Sequence, residues 1–228
     1  VTRAAWLLAG AAPAVWGVYT WGSHLLTVGS VWRGPRDRRA VTLTFDDGPD
    51  PEWTPRVLDL LEREGVRGTF FLIGRRARRA APLARRIAQA GHDLGNHTWS
   101  HPSLWRCGPR ETEREIDQGH AAISDAAGEA PAFFRPPWGK TNLAMFAALR
   151  RSATPCVFWT VQPESRRPVG AAEQARRGTA RARGGAIYDL HDADGVPGAG
   201  SRLVEYLPAL IQGLRAEGYS LVPLRDLL

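Results

Sequence analysis

Cysteine is nearly missing from this chain of 228 residues: only Cys107 and Cys156 occur, too far apart for a CxxC metal or redox motif. Both read as inert thiols. Lysine is scarcer still, one residue against twenty-nine arginines. The net charge of +7 therefore reflects an arginine-rich composition as readily as an anionic partner, and by itself it supports nucleic-acid binding only weakly. The one dense basic cluster, Arg75-Arg76-Ala77-Arg78-Arg79, reads as the solvated start of a helix. No GxGxxG follows the first β-rich run, which argues against an open dinucleotide-binding sheet, and there is neither an internal repeat nor a low-complexity tract. Formal charge is missing from Ala4 to Trp32, where four of the nine tryptophans fall (Trp6, Trp16, Trp21 and Trp32). Ala4 to Gly22 has about the length of a membrane span, yet it is rich in alanine and glycine and carries Pro13. Three readings stay open: membrane contact or an anchor through residues 4–22, a cleaved leader with Ala12-Pro13-Ala14 as its small-residue site, and a helix packed on the domain.

What is present is a regular βα beat after Arg39. Val41 to Phe45 alternates with period two; Thr54 then caps and Pro55 opens a helix that Gly65 stops. Further strands are expected at Thr69 to Ile73, His92 to Asn96, Ala132 to Arg135, Cys156 to Thr160, Ala186 to Leu190 and Tyr219 to Val222. Helices are expected near Leu83 to Ala90, Arg110 to Ala127, Asn142 to Arg150, Ala171 to Arg181 and Leu203 to Glu217. Seven strands in about 190 residues suit an α/β fold built as a distorted or incomplete (β/α) barrel. Residues 39–228 form that domain, with 1–38 as a hydrophobic segment and linker.

In a parallel barrel the chemistry sits at the C-terminal strand ends, and four strands end in polar residues. The first runs into Asp46-Asp47-Gly48-Pro49, where adjacent carboxylates repel unless a cation or hydrogen bonds hold them. The third runs into His97-Thr98-Trp99-Ser100-His101, whose two imidazoles can meet on one face of a helical turn. With Asp47 they make a set that leaves positions open on zinc or a related divalent ion, and an open site implies catalysis. The fourth ends in Arg135-Pro136-Pro137-Trp138-Gly139, a cation able to keep a carboxylate ionised. The sixth ends in Asp189-Leu190-His191-Asp192, an imidazole with acidic neighbours, as a general acid near neutral pH requires.

These four runs, in this order, resemble the motifs of the polysaccharide deacetylases, carbohydrate esterase family four, over roughly Arg39 to Leu228. The resemblance implies metal-dependent hydrolysis of acetyl groups, N-acetyl above all, from a glycan or a lipid-linked sugar. It makes Asp47, His97 and His101 ligands of Zn2+, with Co2+, Ni2+ or Fe2+ as alternatives. It makes Asp46 the base, oriented by Arg135, and His191 the acid. Pro137, Trp138, Trp159, Asp189 and Leu190 fall on the substrate and oxyanion side. The family's fourth motif is altered: Gln162, Ser165 and Arg166 stand where Asp, Asp and Trp are expected, leaving Glu164 as the carboxylate of that run and, with Asp189, as a candidate support for His191. Asp189 also replaces a leucine of the acetyl pocket. A non-catalytic carbohydrate-binding relative is the alternative. A glycan substrate suggests a cell-envelope or membrane-anchored location, with the cytoplasm still open, and the sequence sets no oligomeric state.

Overall fold

The computed structural model describes residues 13–26, 30–164, 169–193 and 198–228. Six parallel strands form the sheet: β1 (Ala40–Asp46), β2 (Thr69–Leu72), β3 (Asp93–Asn96), β4 (Phe133–Phe134), β5 (Ala186–His191) and β6 (Ser220–Leu221), in the order β4-β3-β2-β1-β5 with β6 also on β1. The helices are α1 (Trp53–Arg63), α2 (Gly74–Arg79), α3 (Ala81–Gln89), α4 (Pro109–Ala127), α5 (Leu143–Arg151), α6 (Ala171–Ala180), α7 (Ala199–Ala216) and α8 (Leu224–Leu227). This is an α/β fold with a parallel sheet. Parallel strands need covered faces, and β1 is buried at every position, with Val41, Leu43 and Phe45 packing against Leu58, Leu61, Leu207 and Leu210 of the flanking helices.

Three expectations change. The fifth expected strand, Cys156 to Thr160, is present only as isolated bridges, Phe134 to Cys156 and Val31 to Val157, with Val161 to Tyr188 just beyond it. The carbonyl oxygens of Val157 and Phe158 accept from the Arg135 guanidinium, which removes them from a ladder. The first helix begins at Trp53 with Glu52 before it, and Thr54 is not its cap: the Thr54 hydroxyl accepts from Asp50 N–H at 2.7 Å and donates to the buried Asp192 carboxylate. The basic cluster is a helix of its own, α2, where Arg76 donates to the Asp47 carbonyl at 2.9 Å and Arg78 covers Trp99.

Ahead of the sheet, residues 13–20 are helical and a 3-10 turn spans Gly22–Leu26. Residues 1–12, and 27–29 of the charge-free segment, lie outside the described residues. No described helix is long and apolar enough to cross a membrane. Both cysteines are buried and free, and burial pushes their thiols up to about 11 at Cys107 and about 12 at Cys156, so they are unreactive.

Candidate active site

The parallel register gathers the polar residues at one end of the sheet. Asp46, last in β1, pairs with His191, last in β5. β3 ends at Asn96, so His97 leaves the sheet beside them, and β4 delivers Arg135 one residue past Phe134.

Asp47, His97 and His101 place one donor atom each within 4.8 Å of one another. His101 Nε2 lies 3.1 Å from Asp47 Oδ1, and His97 Nε2 lies 3.7 Å from the same oxygen. That oxygen is buried and accepts no well-aligned hydrogen bond. His97 Nδ1 is 2.7 Å from the Arg135 carbonyl oxygen, so its N–H donates there and the Nε2 lone pair faces the carboxylate. Burial works to raise the Asp47 carboxyl, but the contact with His101 and the charges of His97, His101 and His191 hold it well below the usual carboxylate range. Burial takes His97 down to about 4, the neutral form a ligand needs. A buried, ionised oxygen facing two imidazole nitrogens is a donor set that fits a divalent metal.

The loop that presents the histidines is no helical turn. Thr98 and His101 adopt left-handed backbone, φ 68° and 62°, as does Asp47 at 73°. Strain of this kind persists only where neighbours fix it. Glu115 of α4 does so, accepting from Ser100 N–H at 2.7 Å and from its hydroxyl at 2.8 Å. Asn96 accepts from Thr98 N–H at 2.9 Å, and Thr98 Oγ1 accepts from His101 N–H at 3.0 Å. Gly119, one turn beyond Glu115, lets the loop touch the helix: a Cβ there would stand 2.4 Å from Asn96 Oδ1.

Arg135 is fully buried and makes four hydrogen bonds from its five N–H donors. It donates to Asp46 Oδ1 at 2.7 Å, to Thr44 Oγ1 at 2.6 Å and to the carbonyls of Val157 and Phe158 at 3.2 Å, and its plane lies 4.1 Å from the Phe71 ring centre. The second Asp46 oxygen is 3.8 Å from His97 Nε2. Asp189 Oδ1 is 3.6 Å from Arg135 and accepts no hydrogen bond among the described residues; burial and the charge of Asp46 push its carboxyl up to about 8.

Of the two candidate supports for His191, only Glu164 makes contact: Oε2 is 2.6 Å from His191 Nδ1, and Oε1 accepts His191 N–H at 3.0 Å. Asp189 shares the strand face but turns to Arg135. Burial would lower the His191 pKa, but the hydrogen bond to Glu164 and the charges of Asp189, Glu164 and Asp46 raise it well above the ordinary value. Tyr206 of α7 donates to Glu164 at 3.4 Å. Sequence reasoning missed Tyr206, Thr44 and Glu115, and named Asp192 only as an acidic neighbour of His191. Asp192 is buried against Gly48, where a Cβ would lie 2.7 Å from Asp192 Oδ1, and burial pushes its carboxyl up to about 7.

Pro137 and Leu190 are buried, Trp159 is half-buried with its ring 5.6 Å from Arg135, and Trp138 is exposed, with left-handed φ 53°, against His101. Ser165 and Arg166 lie outside the described residues; the Gln162 carbonyl accepts from Arg181 at 3.3 Å.

A family model for polysaccharide deacetylase matches residues 33–156. A peptidoglycan-N-acetylglucosamine deacetylase of Bacillus cereus is 34% identical over 84% of this chain and 69% of its own. A chitooligosaccharide deacetylase of Bradyrhizobium sp. is 36% identical over 83% of this chain and 90% of its own. A crystal structure of a peptidoglycan N-acetylglucosamine deacetylase in complex with an N-hydroxybenzamide has a TM-score of 0.82 and 32% identity, covering 88% of this chain and 92% of that one.

Proposed function

We propose that this chain, which belongs to the polysaccharide deacetylase family, hydrolyses the N-acetyl group of N-acetylglucosamine units in a cell-wall or chitin-like glycan. The observation that carries this reading is the convergence of an Arg-held carboxylate, an Asp-His-His donor set and a Glu-held imidazole on neighbouring strand ends. Asp47, His97 and His101 would hold a divalent ion, and zinc suits two imidazoles and one carboxylate. When bound it supplies Lewis acidity to water and to the acetyl carbonyl.

Asp46 accepts the proton of the attacking water. Arg135 donates to one oxygen of that carboxylate and aims the other toward the ligand set, 3.8 Å from His97 Nε2. His191, protonated and held through Nδ1 by Glu164, gives its Nε2 proton to the nitrogen as the C–N bond breaks, so amine and acetate leave with protons balanced. The Trp138 N–H is assigned to the carbonyl oxygen as it gains charge. We read the bridges at Cys156, Val157 and Val161 as closing the sheet into the family's barrel, with 39–228 as the catalytic unit and 1–38 as a segment before it. A glycan substrate of this kind places the protein at the cell envelope.

Acetate release from chitin oligomers and from peptidoglycan, with and without a chelator, tests the reading. Release that the chelator stops and zinc restores is expected. Binding of the same glycans without release by the metal-loaded protein would assign it instead as a non-catalytic relative.

A further inference from the structure

Indoles from three distant parts of the chain continue the surface that starts at His101. The Trp138 ring meets the His101 imidazole edge-on, 4.3 Å between centroids, and Trp138 is 58% exposed. Next to it the Lys140 ammonium lies 5.5 Å from the Trp138 ring centre and 5.0 Å from that of Trp105. Trp21 then stacks on Trp105 at 5.2 Å, and is 67% exposed. The segment carrying Trp21 is tied down on both sides. Trp16 donates to the Trp105 carbonyl at 3.0 Å, Tyr19 donates to the Cys107 carbonyl at 3.2 Å, and the buried Ser23 and Thr141 hydroxyls meet at 2.7 Å.

Packing alone does not account for this row, because a tryptophan used only as filler is covered, whereas Trp138 and Trp21 each stay more than half exposed. Lys140 is the only lysine of the chain. A guanidinium would lie flat over the indole faces; an ammonium is a compact charge with three donors, and among the described residues Lys140 faces only the two rings. Pyranose rings present an apolar C–H face and a rim of hydroxyls, which match indole faces and ammonium donors respectively. Because the rings step away from His101 one after another, the complementary ligand is a chain of sugars.

We propose that Trp138, Lys140, Trp105 and Trp21 form a subsite that grips sugar residues of an N-acetylated glycan beyond the one being deacetylated. This rests on the deacetylase reading above and adds a length preference, supplied in part by the segment before the sheet. The test compares the chitin dimer and hexamer as substrates, and as ligands by calorimetry, for wild type, Trp21→Ala, Trp21→Phe and Lys140→Met. Trp21→Ala should cut the hexamer's advantage over the dimer about tenfold, through KM and Kd. Trp21→Phe should restore most of it, and Lys140→Met should cut it several-fold. Should Trp21→Ala melt early, Trp21→Phe and Lys140→Met carry the comparison alone. An unchanged hexamer-to-dimer ratio in both the Trp21 and Lys140 variants overturns the subsite. So does an equal loss on both substrates, or a Trp21→Ala defect confined to binding of anionic phospholipid vesicles. Wild type that binds hexamer more tightly than dimer yet releases no acetate overturns the deacetylase reading and upholds the subsite; equal KM for both lengths with normal release does the reverse.

Discussion

The two ends of the sheet each carry an aspartate paired with an arginine, and the pairs differ in what surrounds the cation. At the start of β3, Asp93 accepts from the Arg225 backbone N–H at 2.8 Å and pairs with its guanidinium, whose side chain is 53% exposed. At the end of β1, Asp46 pairs with an Arg135 that is entirely buried. Arg225 reaches in from water and keeps most of its hydration, as a snorkelling side chain does. Arg135 has lost all of it, and Thr44, Val157 and Phe158 must satisfy the donors that Asp46 leaves over. A captive ion pair is poor stabilisation for its desolvation cost. Its presence at the end where His97, His101 and His191 meet, and the looser pair at the opposite end, separate a part built for chemistry from a part built to hold the fold.

Replacing each arginine tests that contrast. Arg135→Met strands Asp46 without a partner and should lower unfolding free energy by roughly 3–5 kcal/mol, read by urea melts. Arg225→Met should cost only about 1 kcal/mol, since the guanidinium is half in water and the buried Asp93 keeps its backbone donor. Equal losses at the two ends would erase the distinction. Next in size, Asp46→Asn should keep the metal, measured by atomic absorption, and lower acetate release at least about a hundredfold, the scale of a general base. Metal loss in Asp46→Asn with retention in Asp47→Asn would exchange the two roles.

Glu164→Gln sharpens the comparison on the acid side. His191 is held protonated by Glu164, and an acid works only in that form. Activity should therefore fall as pH rises through the raised His191 pKa. Removing the carboxylate charge lowers that pKa, so the alkaline fall in kcat should move to lower pH. An alkaline limb that stays in place would mean that Asp189 or Asp46 suffices to hold the charge.

How much of this was legible in the sequence follows from how local each cause is. The period-two runs that end in Asp46, Asn96 and His191 are local, and so the strands and their polar ends could be read. The spacing of His97 and His101 was visible, but the turn joining them was misread as helical. Its shape comes from left-handed Thr98 and His101, pinned by Glu115 fourteen residues further on. Cys156 to Thr160 has strand-like composition, yet Arg135 takes two of its carbonyls, a demand no propensity records. The Glu164 contact with His191 was one of two expectations, and what decided it was Arg135 drawing Asp189 away.

Asp189 carries the smallest expected effect and the finest test of the contrast. Its carboxyl lies 3.6 Å from Arg135 in register with Thr44, but burial and the charge of Asp46 raise its pKa to about 8. A carboxyl that binds its proton more tightly when folded makes the protein less stable as pH climbs from the unfolded value near 4 toward that folded value, since the unfolded chain has already released the proton. Asp189→Asn is nearly isosteric with the neutral form. It should change stability by less than about 1 kcal/mol at pH 5 and gain on the wild type as pH rises to 8, with Tm at the two pH values as the measurement. Parallel Tm profiles would show Asp189 ionised throughout, making Arg135 the shared counter-ion of two aspartates. The buried end of the sheet would then hold its extra charge by the same device as the opposite end, where Arg225 pairs with both Asp93 and Glu129.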